Sequence, residues 1–139
     1  MRDPRFRLFG DEHVRQYEAT DGQTGYEWNG THILILRVTG RKSGELRKTP
    51  LIFGRDGASY VLIASKGGAP DHPGWYENLT AQPDIEIQVK GEILPVRART
   101  ATADEKRRLW PIMAKVWPDY DKYQKATPRD IPLVILGPR

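Results

Sequence analysis

Six short segments rich in branched apolar residues recur along this chain of 139 residues, and turn signals separate most of them. Their length and β-branched content are typical of strands rather than helices. The segments that share this pattern are residues 32–39, 48–53, 59–64, 85–89, 93–101 and 131–136. Because tight turns join several neighbouring segments, the pattern favours a curled antiparallel sheet or a barrel over a doubly wound sheet.

The helical segments of the sequence are short. Residues 11–19 and 73–81 fit helices, and the second has a proline in its first turn. Thr102 and Glu105 match a capping box that opens a third helix, which Pro111 should kink or divide. Since 139 residues support a single core, the sequence predicts one α+β domain.

A basic turn, Gly40-Arg41-Lys42-Ser43-Gly44, places two cations and a hydroxyl between two glycines, with Arg47 and Lys48 close behind. Glycine lets the backbone turn sharply and leave amide N–H groups facing outward. A phosphate is the simplest guest, and an ordinary basic hairpin turn is the alternative. The turn is not a Walker A loop, because its glycines are too close together and a strand follows.

A second turn, Ser65-Lys66-Gly67-Gly68, again combines a hydroxyl, a cation and glycines after a strand. Trp75 follows soon after, so cations and aromatic surface stand near each other in the sequence. Such a combination suits a ligand with a phosphate tail and a planar ring. The alternative is that Trp75 and Leu79, four residues apart, are core residues of a helix.

Trp117, Tyr120 and Tyr123 are spaced three residues apart, so on a helix they share one face. They form either a hydrophobic seam or the wall of a pocket that also offers phenol hydroxyls.

The charge and the composition exclude several functions. The net charge of +4 attracts anions, but it is small and no basic helix accompanies it, so we expect no nucleic-acid partner. With no cysteine and no metal-ligand spacing among the three histidines, we predict no metal site. No apolar run approaches the roughly 18 residues of a membrane span, and no secretion signal is present. We therefore expect a cytoplasmic protein.

Three stretches of the sequence, in order, resemble the deazaflavin-dependent nitroreductase family, the split-barrel oxidoreductases that use coenzyme F420. They are residues 39–51, 64–79 and 117–132. The resemblance implies a split β-barrel of about six mainly antiparallel strands with short helices. It also implies an 8-hydroxy-5-deazaflavin cofactor with a phosphate and an oligoglutamate tail. The implied reaction is hydride transfer from the reduced cofactor to an organic acceptor, such as a quinone or, in some members, a nitro compound.

The resemblance also implies roles for single residues. The phosphate and the tail would be surrounded by Arg41, Lys42, Ser43 and Arg47. The rest of the cofactor would lie along Pro50, Leu51, Ala64, Ser65, Lys66 and Trp75. The acceptor would be enclosed by Trp117, Tyr120 and Tyr123. Ser65 or Tyr123 would supply or polarise a proton. Position 117 holds Trp where related quinone and nitroimidazole reductases can carry Tyr, so the choice of acceptor stays open.

The resemblance divides the chain into an N-terminal helix or flexible segment, residues 1–30, and a split-barrel deazaflavin-binding domain, residues 31–139. The basic and aromatic start, residues 2–9, would be an interfacial membrane anchor, a lid over an apolar acceptor, or a disordered segment. Two rival functions also remain open: an FMN-binding split-barrel oxidoreductase, and a deazaflavin-binding module without turnover.

Overall fold

A computed structural model describes residues 8–139, so the expected contributions of Arg2, Arg5, Phe6 and Arg7 lie outside the described residues. The helices are α1 (Gly10–Ala19), α2 (Gly74–Ala81), α3 (Ala103–Val116) and α4 (Asp119–Ala126). The strands are β1 (Glu27–Trp28), β2 (Thr31–Thr39), β3 (Leu46–Ile52), β4 (Gly54–Asp56), β5 (Ser59–Ile63), β6 (Asp84–Val89), β7 (Glu92–Thr100) and β8 (Leu133–Pro138).

Antiparallel pairing nearly closes the sheet into a ring. β2 pairs with β3 on one side and with β6 on the other, and the order continues through β7, β8 and β5 to β4. Because Phe53 alone separates β3 from β4, these two strands act as one bent strand that completes the ring. The predicted α+β barrel of about six antiparallel strands is therefore confirmed. The sequence did not reveal β1 and β4, since strands of two and three residues carry too little periodicity.

β2 is buried on both faces, which explains its continuous apolar sequence. Leu34, Leu36 and Val38 pack in the cluster that fills the barrel. Ile33 and Ile35 belong to a second cluster, together with residues of α1. The strand therefore needs a covering helix on the outside as much as it needs the barrel interior.

β5 and β8, on the other side of the barrel, are also buried on both faces. Alternate residues of these strands enter the barrel core, and the residues between them pack under α3 and α4. The outer contacts are made by Val61, Ile63, Leu133 and Ile135 of the strands with Leu109, Met113 and Tyr120 of the helices. Helices thus flank the barrel on two sides: α1 lies over β2 and β3, and α3 with α4 lies over β5 and β8.

Tyr17 attaches α1 to the barrel. Its fully buried hydroxyl donates to the Ile33 carbonyl oxygen at 3.0 Å and accepts from the Lys90 backbone N–H at 2.7 Å. Burial raises the pKa of Tyr17 to about 12, so the phenol stays neutral. The division of the chain near residue 30 stays a prediction.

The capping box at the start of α3 forms as predicted. The Glu105 backbone N–H donates to the Thr102 hydroxyl, and the Thr102 N–H donates to the Glu105 carboxylate. Arg99 donates two further bonds of 2.7 Å to this carboxylate, and the pKa of Glu105 falls to about 2. The expected division at Pro111 is absent, since α3 runs unbroken from Ala103 to Val116. Within residues 8–139, no helix is long and apolar enough to cross a membrane.

Candidate functional site

A largely apolar cavity of about 490 Å³ lies between α1 on one side and the helices α3 and α4 on the other. Its size falls within the range of roughly 300–1,000 Å³ that small-molecule sites occupy. Many of the predicted site residues line it, namely Pro50, Leu51, Ser65, Lys66, Trp75, Trp117, Tyr120 and Tyr123. A depression of about 690 Å³ beside α1 is larger, but none of the predicted residues line it. The smaller cavity is therefore the candidate site.

The loop that follows β5 has the backbone shape of an anion-binding nest. Ser65 is right-handed helical (φ −81°, ψ −38°), whereas Lys66 and Gly67 have positive φ values of 46° and 64°. A change from right-handed to left-handed backbone turns successive amide N–H groups toward one side. Ser65, Lys66 and Gly67 all line the cavity. The Lys66 ammonium is 3.0 Å from an Asp71 carboxylate oxygen at the exposed surface.

α2 begins at the same cavity, which Pro73, Gly74 and Trp75 also line. The first amides of a helix have no partner within the helix and carry partial positive charge, so they favour anions. The sequence left two roles open for Trp75, a core residue or a ligand contact. In the structure Trp75 packs partly against the barrel core and also lines the cavity. Leu79 is a core residue.

The basic turn at residues 40–44 lies beside α2, and none of its residues line the cavity. The Arg41 guanidinium donates to the Asn78 side-chain oxygen at 2.8 Å and to a Glu77 carboxylate oxygen at 2.6 Å. The Arg41 backbone N–H donates to the same Asn78 oxygen at 3.1 Å. Arg41 is therefore bound to α2, a contact that the sequence did not reveal. Lys42, Ser43 and Arg47 are exposed, and Ala64 is fully buried behind the cavity wall.

Trp117 ends α3, while Tyr120 and Tyr123 lie on α4. The Trp117 indole N–H donates to the Tyr123 hydroxyl at 3.4 Å, and the two tyrosine rings meet edge to face with centroids 6.2 Å apart. These residues pack with the outer cluster and also line the cavity, so they are both a seam and a wall. Burial raises the pKa of Tyr120, so its phenol remains protonated and able to donate a hydrogen bond.

The N-terminal part of the chain contributes further cavity residues, of which only Leu8 and Phe9 fall in the segment that the sequence offers, as one alternative, as a lid over the acceptor. Trp28 packs on Trp117 with ring centroids 5.6 Å apart and donates from its indole N–H to the Leu8 carbonyl oxygen at 2.8 Å. The His13 ring is hydrogen-bonded to the Gly25 carbonyl oxygen at 2.8 Å, and burial lowers the pKa of His13. One signal was available, because Trp28 is a large aromatic residue in an otherwise polar stretch.

An antiparallel barrel with an outer cavity of aromatic walls and clustered amide donors defines a split-barrel protein of the cofactor-binding class. The chain matches the F420H(2)-dependent quinone reductase family model over residues 9–138. It is 40% identical over 131 residues to an F420H(2)-dependent quinone reductase of Mycobacterium tuberculosis. The aligned region covers 91% of this chain and 88% of that protein. The chain belongs to the F420H(2)-dependent quinone reductase family.

Two solved structures agree with this assignment. An F420-H2 dependent reductase superposes with a TM-score of 0.69 at 37% identity, covering 75% of this chain and 92% of that chain. A structure described as a domain-swapped dimer superposes with a TM-score of 0.73 at 34% identity, covering 90% and 92% of the two chains. The resemblance found in the sequence is thereby confirmed, and so are the split-barrel fold and the oxidoreductase class.

The loop after β5 packs tightly on α4, and a pair of alanine substitutions tests this contact. A Cβ on Gly68 would lie 2.8 Å from the Tyr123 carbonyl oxygen and 3.0 Å from the Ala126 Cβ, whereas a Cβ on Gly67 would enter open space. Both glycines have positive φ, so each alanine costs about 1–2 kcal/mol in backbone strain. Gly68→Ala should cost about 1–3 kcal/mol more because of overpacking. Urea unfolding measures both; equal losses would contradict the described packing.

Proposed function

We propose that this protein is an F420-dependent oxidoreductase that passes a hydride from the reduced cofactor to a quinone-like acceptor. One observation carries the proposal: a single cavity joins the aromatic wall of Trp117, Tyr120 and Tyr123 to the amide-rich loop at Ser65–Gly67. A planar acceptor suits the first part, and an anionic cofactor suits the second. Membership of the quinone reductase family supports the same assignment.

The residues of the cavity fit a deazaflavin with a phosphate. Pro50, Leu51 and Trp75 provide apolar surface for a ring system. The amides of residues 65–67 and the start of α2 provide donors for a phosphate, and Lys66 adds a cation at the edge. Gly74 has open space where a Cβ would stand, so the start of α2 is accessible to a ligand.

We assign the oligoglutamate tail to the basic turn outside the cavity. Lys42 and Arg47 are exposed there, and Ser43 adds a hydroxyl. Arg41 would contribute less than its charge suggests, because Glu77 already accepts a hydrogen bond from its guanidinium. Ala64 would support the loop from behind rather than touch the ligand, since it is fully buried.

When bound, reduced F420 supplies the hydride, and the protein contributes position and hydrogen bonds. Trp117 and Tyr120 would hold the acceptor ring against the cavity wall. The reduced acceptor also needs a proton, and Ser65 and Tyr123 are the predicted donors. Polarisation of the acceptor oxygen through a hydrogen bond is the role that we assign to both hydroxyls. The acceptor class extends to nitro compounds only if Trp117 leaves room for them.

Cofactor identity is tested by titrating the purified protein with F420 and with FMN while following ring fluorescence. We expect a Kd of about 1 µM or tighter for F420, and binding at least about tenfold weaker for FMN. Lys66→Ala should weaken F420 binding about tenfold, and Lys42→Ala or Arg47→Ala about threefold, with unchanged turnover at saturating cofactor. Lys115→Ala, on α3 away from the cavity, is the matched control.

Each outcome of this titration selects one function. Tight binding of FMN alone would establish the flavin alternative. Tight F420 binding without oxidation of the reduced form by any quinone would establish a binding module without turnover. A loss of turnover at saturating cofactor, with unchanged affinity, in Lys42→Ala or Arg47→Ala would contradict the tail site.

The roles of the two hydroxyls are tested by Ser65→Ala, Tyr123→Phe and the double variant, assayed with a soluble quinone. Loss of a polarising hydrogen bond should lower kcat by about tenfold in at least one single variant. Binding of F420 to Tyr123→Phe should stay unchanged, because only a hydroxyl is removed from the acceptor wall. Full turnover in the double variant would refute protonation or polarisation by these residues.

We further propose a peripheral membrane contact through the N-terminal segment. Phe9 is 72% exposed and lies at the edge of the cavity, and the preceding sequence carries Arg2, Arg5 and Arg7. Exposed aromatic and basic residues favour an anionic lipid surface. Sedimentation with anionic vesicles should recover more of the full chain than of a chain that begins at Asp11. Equal recovery, or recovery independent of lipid charge, would remove this proposal.

A further inference from the structure

Arg129 connects the segment after α4 to the loop after β5. Its Nε–H donates to the Ala69 carbonyl oxygen at 2.8 Å. One terminal nitrogen donates to the carbonyl oxygens of Ser65 at 2.7 Å and Ala64 at 3.4 Å. The other terminal nitrogen is 3.0 Å from His72 Nδ1 and 3.3 Å from the Ala64 oxygen. The side chain makes five such contacts, and a guanidinium has five N–H donors, so every donor of Arg129 is engaged by the loop or by His72.

Besides Arg129 and the packing of Gly68 on α4, two backbone hydrogen bonds hold the shape of the loop. Within the loop, the Gly68 N–H donates to the Ser65 carbonyl oxygen at 2.9 Å and the Ala69 N–H donates to the Lys66 oxygen at 3.1 Å. Lys66 has a positive φ of 46°, a conformation that a residue with a Cβ adopts at a cost. A loop that contains this strain and two adjoining glycines keeps one shape only if its surroundings fix it.

Arg129 fixes the loop from the side that faces away from the cavity. It does not itself line the cavity, whereas Ser65, Lys66 and Gly67 do. A peptide that has its carbonyl oxygen bound on one side presents its amide N–H on the other. We propose that Arg129 is a positioning residue that holds residues 64–69 in the conformation that directs the amide donors of residues 65–67 into the cavity.

Arg129 also links the two halves of the site. The loop that it binds packs at Gly68 against the backbone of α4 at Tyr123, one of the acceptor-wall residues. Arg129 follows α4 by three residues, so its bonds to the loop act beside this packing contact. The inference rests on the proposed function, because it concerns how the cofactor's anionic group is received.

Lysine could not replace Arg129 in this role. A lysine ammonium has three donors on a single atom, whereas the loop oxygens of Ala64, Ser65 and Ala69 surround a flat group with donors at three nitrogen atoms. Arg129→Lys therefore retains the charge and removes the geometry. The matched control is Arg97→Lys, since Arg97 makes bonds of 2.7 and 3.0 Å to Asp84 on an exposed part of the barrel.

The experiment compares the wild type with Arg129→Lys, Arg129→Ala and Arg97→Lys by amide hydrogen exchange and by F420 titration. Without cofactor, both Arg129 variants should exchange about tenfold faster at Gly68 and Ala69, the hydrogen-bonded amides of the loop, with the barrel strands unchanged. Their Kd for F420 should rise about tenfold, whereas kcat at saturating F420 should change less than about threefold. Guanidinium ion, but not ammonium, should restore the affinity of Arg129→Ala. Arg97→Lys should match the wild type in every measurement.

Wild-type exchange and wild-type affinity in Arg129→Lys would overturn the inference. Loss of protection across the whole barrel would also overturn it, since it would mean that Arg129 acts on global stability. Failure of the wild type to bind F420 would refute the proposed function and with it the cofactor part of this inference. The exchange measurement, made without cofactor, would still decide whether Arg129 holds the loop.

Discussion

The fold depends on three strands, β2, β5 and β8, that are apolar on both faces. One face of each fills the barrel, and the other must be covered from outside, because exposed branched side chains lose the stabilisation that burial gives. α1 covers β2, and α3 with α4 covers β5 and β8. The candidate cavity is the space left between these two covers, so the site follows from the way the barrel is buried.

Two kinds of hydrogen-bond donor around the cavity keep their protons across the neutral range. The amides of residues 65–67 and of the α2 start do not titrate, and the phenol of Tyr120 stays neutral because burial raises its pKa. Lys66 and Arg129 supply the positive charge beside the loop. The amide and phenol donors of the site therefore stay the same across the neutral range.

The sequence predicted the elements whose signal is local. The apolar run of β2, the capping box of Thr102 and Glu105, and the basic turn at residues 40–44 can each be identified within ten residues. The remaining features depend on residues that meet only in the folded chain. Arg41 finds its partners 36 and 37 residues away. Trp28 meets Trp117, which follows β7 in the chain.

The cavity, too, could be predicted only in part from the sequence. Family motifs led to residues of the central and C-terminal stretches, because those stretches carry recognisable patterns. His13 and Trp28 have no such pattern, and their part of the cavity wall becomes visible only when α1 is placed on the barrel. Arg129 lies within residues 117–132, one of the stretches that resemble the family, but its bonds to the loop could not be deduced without the turn geometry of residues 64–69.

Pro50 has a consequence for the behaviour of the protein in concentrated solution. Among the described residues, β3 has a single sheet neighbour, so its other edge offers unpaired backbone groups. An edge of seven residues is a template on which a strand of another molecule can add. Pro50 removes one backbone donor from β3, and Arg47 and Lys48 place like charges beside the edge. The residue that helps to shape the cavity therefore also protects the barrel from intermolecular strand addition.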